Sequence, residues 1–123
     1  MAYGQTDLVA MIQADLKKME GHRETVKAGF MEKRFPKKVK PSELHVNPDD
    51  EFTFPNIGPN PSIVENYSAL ARRQFSLGDK VFEEPLQVNK LREGGYLILN
   101  GHHRWAGAVR ACVPTIRIQI LDP

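Results

Sequence analysis

Apolar residues near the N-terminus recur at helical spacing. Leu8, Met11, Ile12, Leu16 and Met19 fall on one face of "DLVAMIQADLKKM", and Thr6 stands before it as an N-cap. The stripe predicts a helix that turns toward a core or a dimer seam, not a cofactor box. Gly21 is expected to interrupt it, with a second helical stretch from about Arg23 to Arg34. Phe35-Pro36 ends that stretch, because the residue before a proline is pushed out of the helical region. "KKVK" then reads as a short strand. Residues 46–61, "VNPDDEFTFPNIGPNP", are dense in Pro, Asn, Asp and Gly and read as a long irregular loop. Loops of that length inside a compact domain are uncommon and often functional. Asn60-Pro61 pairs a good N-cap with a good first helical residue. Ile63, Tyr67, Leu70 and Ala71 mark the expected buried face of the helix that follows.

The second half changes period. Pro85–Leu91 and Tyr96–Asn100 read as two strands of a hairpin turned at Gly94-Gly95. The last segment, "TIRIQILD", alternates Ile116, Ile118 and Ile120 with polar residues, the pattern of a half-buried strand. Between them a short helix is expected from near His102 to Ala111. Helices, strand, loop, helix, hairpin, helix, strand is the order of a small α+β domain with a small sheet and flanking helices.

Composition narrows this little. The 123 residues fit one domain, with 41% hydrophobic and 26% charged residues. No apolar run approaches the length of a membrane helix, and the start lacks the pattern of a signal peptide, so a cytoplasmic location with no membrane partner is expected. The single cysteine, Cys112, excludes an internal disulfide and a cysteine-built metal site. Charge is uneven. Residues 17–40 carry nine Lys or Arg against three Glu. That stretch is either a solvated surface or a non-specific attraction for the backbone of nucleic acid; the charges are not read as a stacking platform.

The junction "LNGHHRW" has the most chemistry. A helix starting near His102 leaves its first N–H groups without intrahelical acceptors and adds the positive end of its dipole. Gly101 lets a ligand approach the backbone. Arg104 offers a planar fork of donors suited to phosphate, and His102 and His103 offer further donors. Asn100, Gly101, His102, His103 and Arg104 are therefore the candidate phosphate or nucleotide site. Adjacent helical histidines point about 100° apart, so one metal ion would not easily take both. Trp105 is expected in the core. Cys112, at the far end of the helix, lacks the electropositive setting of a reactive thiol.

"YLILNGHHRWAGAVRACVPTIRIQILD" resembles the signature segment of the ParB/sulfiredoxin superfamily, in which a strand enters a Gly-x-[His/Arg]-Arg turn followed by an Ala-rich helix and a strand after Pro. "EEPLQV" and "VKPSELHVNPDD" resemble two upstream segments in the same order, and the match covers roughly residues 37–122. The resemblance implies a ParB/sulfiredoxin-like domain over residues 37–123, with residues 1–36 as an N-terminal helical extension. It also implies that Glu83 or Glu84 comes close to the turn. Sulfiredoxins carry a catalytic Cys where this chain has His102, so sulfinic-acid repair is not expected. Partitioning ParB proteins continue into a helix-turn-helix domain; about a dozen residues follow the motif helix here, so sequence-specific duplex binding is not expected. The Gly-His-His-Arg form is similar to the free-serine-kinase branch.

The first expectation is thus binding of a nucleotide (ATP, ADP or CTP) through its phosphates at Asn100–Arg104, with Mg²⁺ as a helper. An alternative is a small-molecule phosphotransferase, with Glu51 or Glu84 as the base and Asp49 or Asp50 holding Mg²⁺ through water. A DNA-associated nuclease is a further alternative. No direct metal site is expected, and a homodimer stays open.

Overall fold

The computed structural model describes residues 5–123. Its elements are α1 (Gln5–Lys18), β1 (Thr25–Val26), α2 (Phe30–Arg34), β2 (Lys37–Val39), β3 (Leu44–His45), α3 (Pro61–Ser76), β4 (Leu86–Leu91), β5 (Tyr96–Asn100), α4 (His102–Ala111) and β6 (Ile116–Leu121), with 3-10 turns at Pro41–Glu43 and Glu51–Thr53. The sheet runs β2-β6-β4-β5-β3, and β1 also pairs with β4. It is mixed: β4 lies antiparallel to β5 but parallel to β6, and β3 runs parallel to β5.

The hairpin and the last strand follow their patterns. β6 buries Ile116, Ile118 and Ile120 and leaves the residues between them half-buried. Tyr96, Leu97 and Ile98 are all buried, so β5 is covered on both faces. Ile98 belongs to the main core with Val88, Ile118 and Trp105, whereas Leu97 joins a second cluster with Met19 and Leu91. The α1 stripe is core: Leu8, Ile12 and Met19 are buried, and Met11 and Leu16 pack against the main cluster. The core therefore runs across residue 36 without a break.

Three expectations are corrected. Thr6 lies inside α1 rather than before it, and its side chain is outside the described residues. The helix expected over Arg23–Arg34 is only Phe30–Arg34; β-branched Thr25 and Val26 pair instead with Leu91 and Lys90 of β4. On α3 the buried residues are Val64, Ser68 and Ala71, while Ile63 is exposed. Gly107 explains this. A Cβ there would lie 2.6 Å from Tyr67 Cβ and 2.8 Å from the Ser68 nitrogen. The two helices touch almost backbone to backbone there, which leaves no room for a side chain at 107. Asn60 caps α3 as expected, its side chain accepting from the N–H groups of Ser62 and Ile63, a contact worth about 1 kcal/mol.

Candidate phosphate site

β5 ends at Asn100, and Gly101 turns the chain into α4 with φ +108. Only glycine adopts that conformation freely. Space also demands it, since a Cβ at 101 would lie 2.8 Å from Leu86 Cγ and 2.9 Å from Arg104 Nη2. The first intrahelical hydrogen bond runs from the Trp105 N–H to the Gly101 carbonyl. The N–H groups of His102, His103 and Arg104 thus precede the helical ladder. These three residues line a cavity of about 420 Å³ whose wall also includes Asn100, Gly101, Tyr67 and Asp50. All five expected residues of the turn line it.

The two histidines have a different task from the one their type suggests. His102 Nε2 accepts the Asn47 N–H at 3.0 Å, and His103 Nε2 accepts the Asn60 N–H at 3.0 Å. Each neutral ring therefore carries its proton on Nδ1. The His102 Nδ1 faces the Asp50 carboxylate at 3.7 Å. The rings diverge to opposite ends of the loop, so they staple it rather than converge on one ligand. Phe52 wedges between them, its ring centre 5.2 Å from that of His102 and 5.1 Å from that of His103. Burial pushes the His102 imidazole down to about 4, with His103 adding to the shift and Asp50 opposing it. Burial lowers His103 as well, again against Asp50. At pH 7 both rings are therefore neutral, accepting through Nε2 and keeping Nδ1–H as their one donor.

Arg104 is also partly committed. Its Nη1 donates to the Glu84 carbonyl at 2.7 Å. Arg117 holds the neighbouring carbonyls of Phe82 and Glu83 at 2.7 and 2.8 Å. Glu83 and Glu84 thus approach through their backbone, and neither lines the cavity. Glu51 opens a 3-10 turn and faces an adjoining hollow of about 450 Å³, shared with His103 and Asn60. Asp49 is exposed, and its N–H donates to the Asn47 side chain. Asp50 is the acidic residue on the cavity wall, and one of its oxygens accepts from the Phe52 N–H. Among the described residues, no three His, Cys, Asp or Glu side chains gather to hold a metal ion.

Tyr67, Ile63 and Leu99 complete the cavity and were not anticipated, nor were the two loop N–H groups. One signal was available: Asn47-Pro48 and Asn60-Pro61 bracket the loop, one pair for each histidine. Trp105 is buried, and its Nε1 donates to the Pro41 carbonyl at 3.0 Å. Cys112 is exposed at the far end of α4. No described helix is long and apolar enough to cross a membrane.

No protein-family model matches the chain, and no curated protein matches it. Solved structures similar to it include two of a chromosome-partitioning protein. One is the C-terminally truncated chromosome-partitioning protein ParB from Caulobacter crescentus complexed with CTP-gamma-S, at 24% identity over 72% of this chain and 45% of that one, with a TM-score of 0.57. The other is that ParB complexed to the centromeric parS site, at 24% identity over 70% of this chain and 39% of that one, with a TM-score of 0.52. The chain spans less than half the length of either, and it has a ParB-like α+β fold.

Proposed function

We propose that this chain binds a nucleotide by its phosphates at the Asn100–Arg104 turn. The observation that carries this is the start of α4, where three successive residues whose N–H groups precede the helical ladder, His102, His103 and Arg104, line one cavity with Gly101. Since both histidines are neutral and spent on the loop, the positive potential comes from the helix terminus and the Arg104 fork. CTP is the first candidate, ahead of ATP and ADP, because the similarly folded Caulobacter ParB was captured with CTP-gamma-S. Asp50 on the cavity wall opposes phosphate charge, so Mg²⁺ held there through water should strengthen binding.

Calorimetry with CTP, ATP and ADP, with and without Mg²⁺, tests this. Arg104→Ala should weaken binding by about 1.5–3 kcal/mol, the range for a hydrogen bond to a charged group. The melting temperature of the unliganded variant separates that loss from the loss of the Glu84 carbonyl contact. Absence of binding by every nucleotide at millimolar concentration refutes the reading.

A further inference from the structure

The α2 segment is built inside out. Its charged side chains anchor it: Lys33 pairs with Asp122 at 2.7 Å, and Glu32 pairs with Lys90 at 3.0 Å. Gln119 Nε2 donates to the Lys33 carbonyl, and the Ala28 N–H just before the helix donates to Asp122. None of its residues is buried. Its apolar side chains point away, with Phe30 70% exposed, Met31 64% and the following Phe35 54%. The Arg34 guanidinium sits 5.9 Å from the centre of the Phe30 ring and 5.5 Å from that of Phe35. A five-residue helix that turns charge inward and rings outward gains nothing for folding from those rings.

The charge around this patch is one-sided. Residues 27–40 carry six basic side chains against one acidic one, Glu32. Glu32 and the nearby Asp122 are both already paired with lysines. Lys27, Arg34 and Lys38 are exposed. Lys37 and Lys38 on the edge strand β2 suit the protection of that edge from pairing, but edge protection does not account for the rings. The basic stretch does interleave with aromatic residues, Phe30 and Phe35, which removes the ground for expecting no stacking platform there.

We infer that Phe30, Arg34 and Phe35, flanked by Lys27, form a binding surface for single-stranded DNA. Exposed rings and a guanidinium plane stack on unpaired bases, and Lys27 meets the phosphates. A duplex keeps its bases stacked on each other and leaves the rings without a partner. A ribose 2′-hydroxyl pressed against Phe30, Met31 and Phe35 would be buried without a hydrogen bond, a cost that deoxyribose does not carry. The patch lies at the Lys90–Leu121 end of the sheet, whereas the turn at Asn100 lies beside Gln87 at the other end. The surface is therefore separate from the proposed nucleotide site.

The test is fluorescence anisotropy with labelled oligothymidylate, against a duplex and an oligouridylate of equal length. The parent should bind the DNA single strand more tightly than the other two. Phe30→Ala and Phe35→Ala should each weaken single-strand binding about five-fold or more and leave duplex binding unchanged. Both rings are more than half exposed, so the variants should keep their melting temperature. Arg34→Gln should reduce the slope of log affinity against log salt by about 0.7. Ile57→Ala, an equally exposed apolar side chain on the loop, should change nothing. Equal affinity for single strand and duplex, or phenylalanine variants that bind like the parent, would overturn the proposal. So would a patch that takes an acidic peptide but no DNA.

Discussion

The two ends of the sheet solve opposite problems by the same device. At the Asn100 end, His102 and His103 turn polar atoms inward and hold a loop by its backbone N–H groups. At the Lys90 end, Glu32 and Lys33 turn charges inward and hold α2 against the sheet. In each place the side chains that look most like ligand chemistry are used for attachment. What is left for a partner is less conspicuous: backbone N–H groups at one end, aromatic faces at the other. The two attachments differ in burial. His102 is 4% exposed, while Glu32 and Lys33 are half-buried beside solvent. Removing a partner is costly where water cannot replace it, so the two ends should respond very differently to substitution.

His102→Ala probes the buried attachment most severely. It removes a buried ring and leaves the Asn47 N–H without its acceptor, and should cost about 3–5 kcal/mol in urea unfolding. Acid should act on the same ring. The folded His102 titrates near 4, below the ordinary 6.5, so the unfolded chain takes the proton first. Its contribution is complete above pH 6.5 and is lost as pH falls from 6.5 through 4, by at most about 3 kcal/mol. His102→Gln should flatten that decline; an unchanged acid limb would show that the ring is not its source. The carboxyls of Glu32 and Asp122 are also held below their usual range, Glu32 first by the Gly29 N–H and Asp122 first by Lys33. Their contribution is present above the unfolded carboxyl values and is lost only as pH falls below them, in a lower window that begins where the histidine's ends.

Gly101→Ala should cost about 2 kcal/mol, because the backbone there is left-handed and the added carbon meets Leu86. It should also weaken nucleotide binding, which calorimetry on the folded variant would measure. Glu32→Gln should change stability least, since solvent replaces what the exposed pair loses; a drop matching that of His102→Ala would erase the contrast between the two ends. Cys112→Ser should leave nucleotide affinity unchanged by calorimetry, because the thiol lies at the opposite end of α4 from the turn.

Much of the architecture was legible because period and punctuation are local. The Ile116, Ile118, Ile120 alternation, the Gly94-Gly95 hairpin and the Asn60-Pro61 helix start each depend on a few neighbouring residues, and each stands as expected. The α2 region was misread because Thr25 and Val26 find their partners in β4, some 65 residues away, and no local pattern announces that pairing. Ile63 was misplaced for a related reason. The side of α3 that is buried is set by where α4 packs against it, with Gly107 against the backbone of Tyr67 and Ser68.

The turn itself divides in the same way. The sequence by itself determined that a glycine, a helix start and an arginine would stand together, since adjacency in the chain guarantees adjacency in space. It did not determine the state of the histidines. That depends on burial under Phe52 and on the two Asn-Pro N–H groups, which only the folded chain brings to them. A hydrogen-bonding side chain has several partners open to it in an unfolded chain. Tertiary structure chooses among them by excluding water, because a buried polar atom must take the partner that packing supplies.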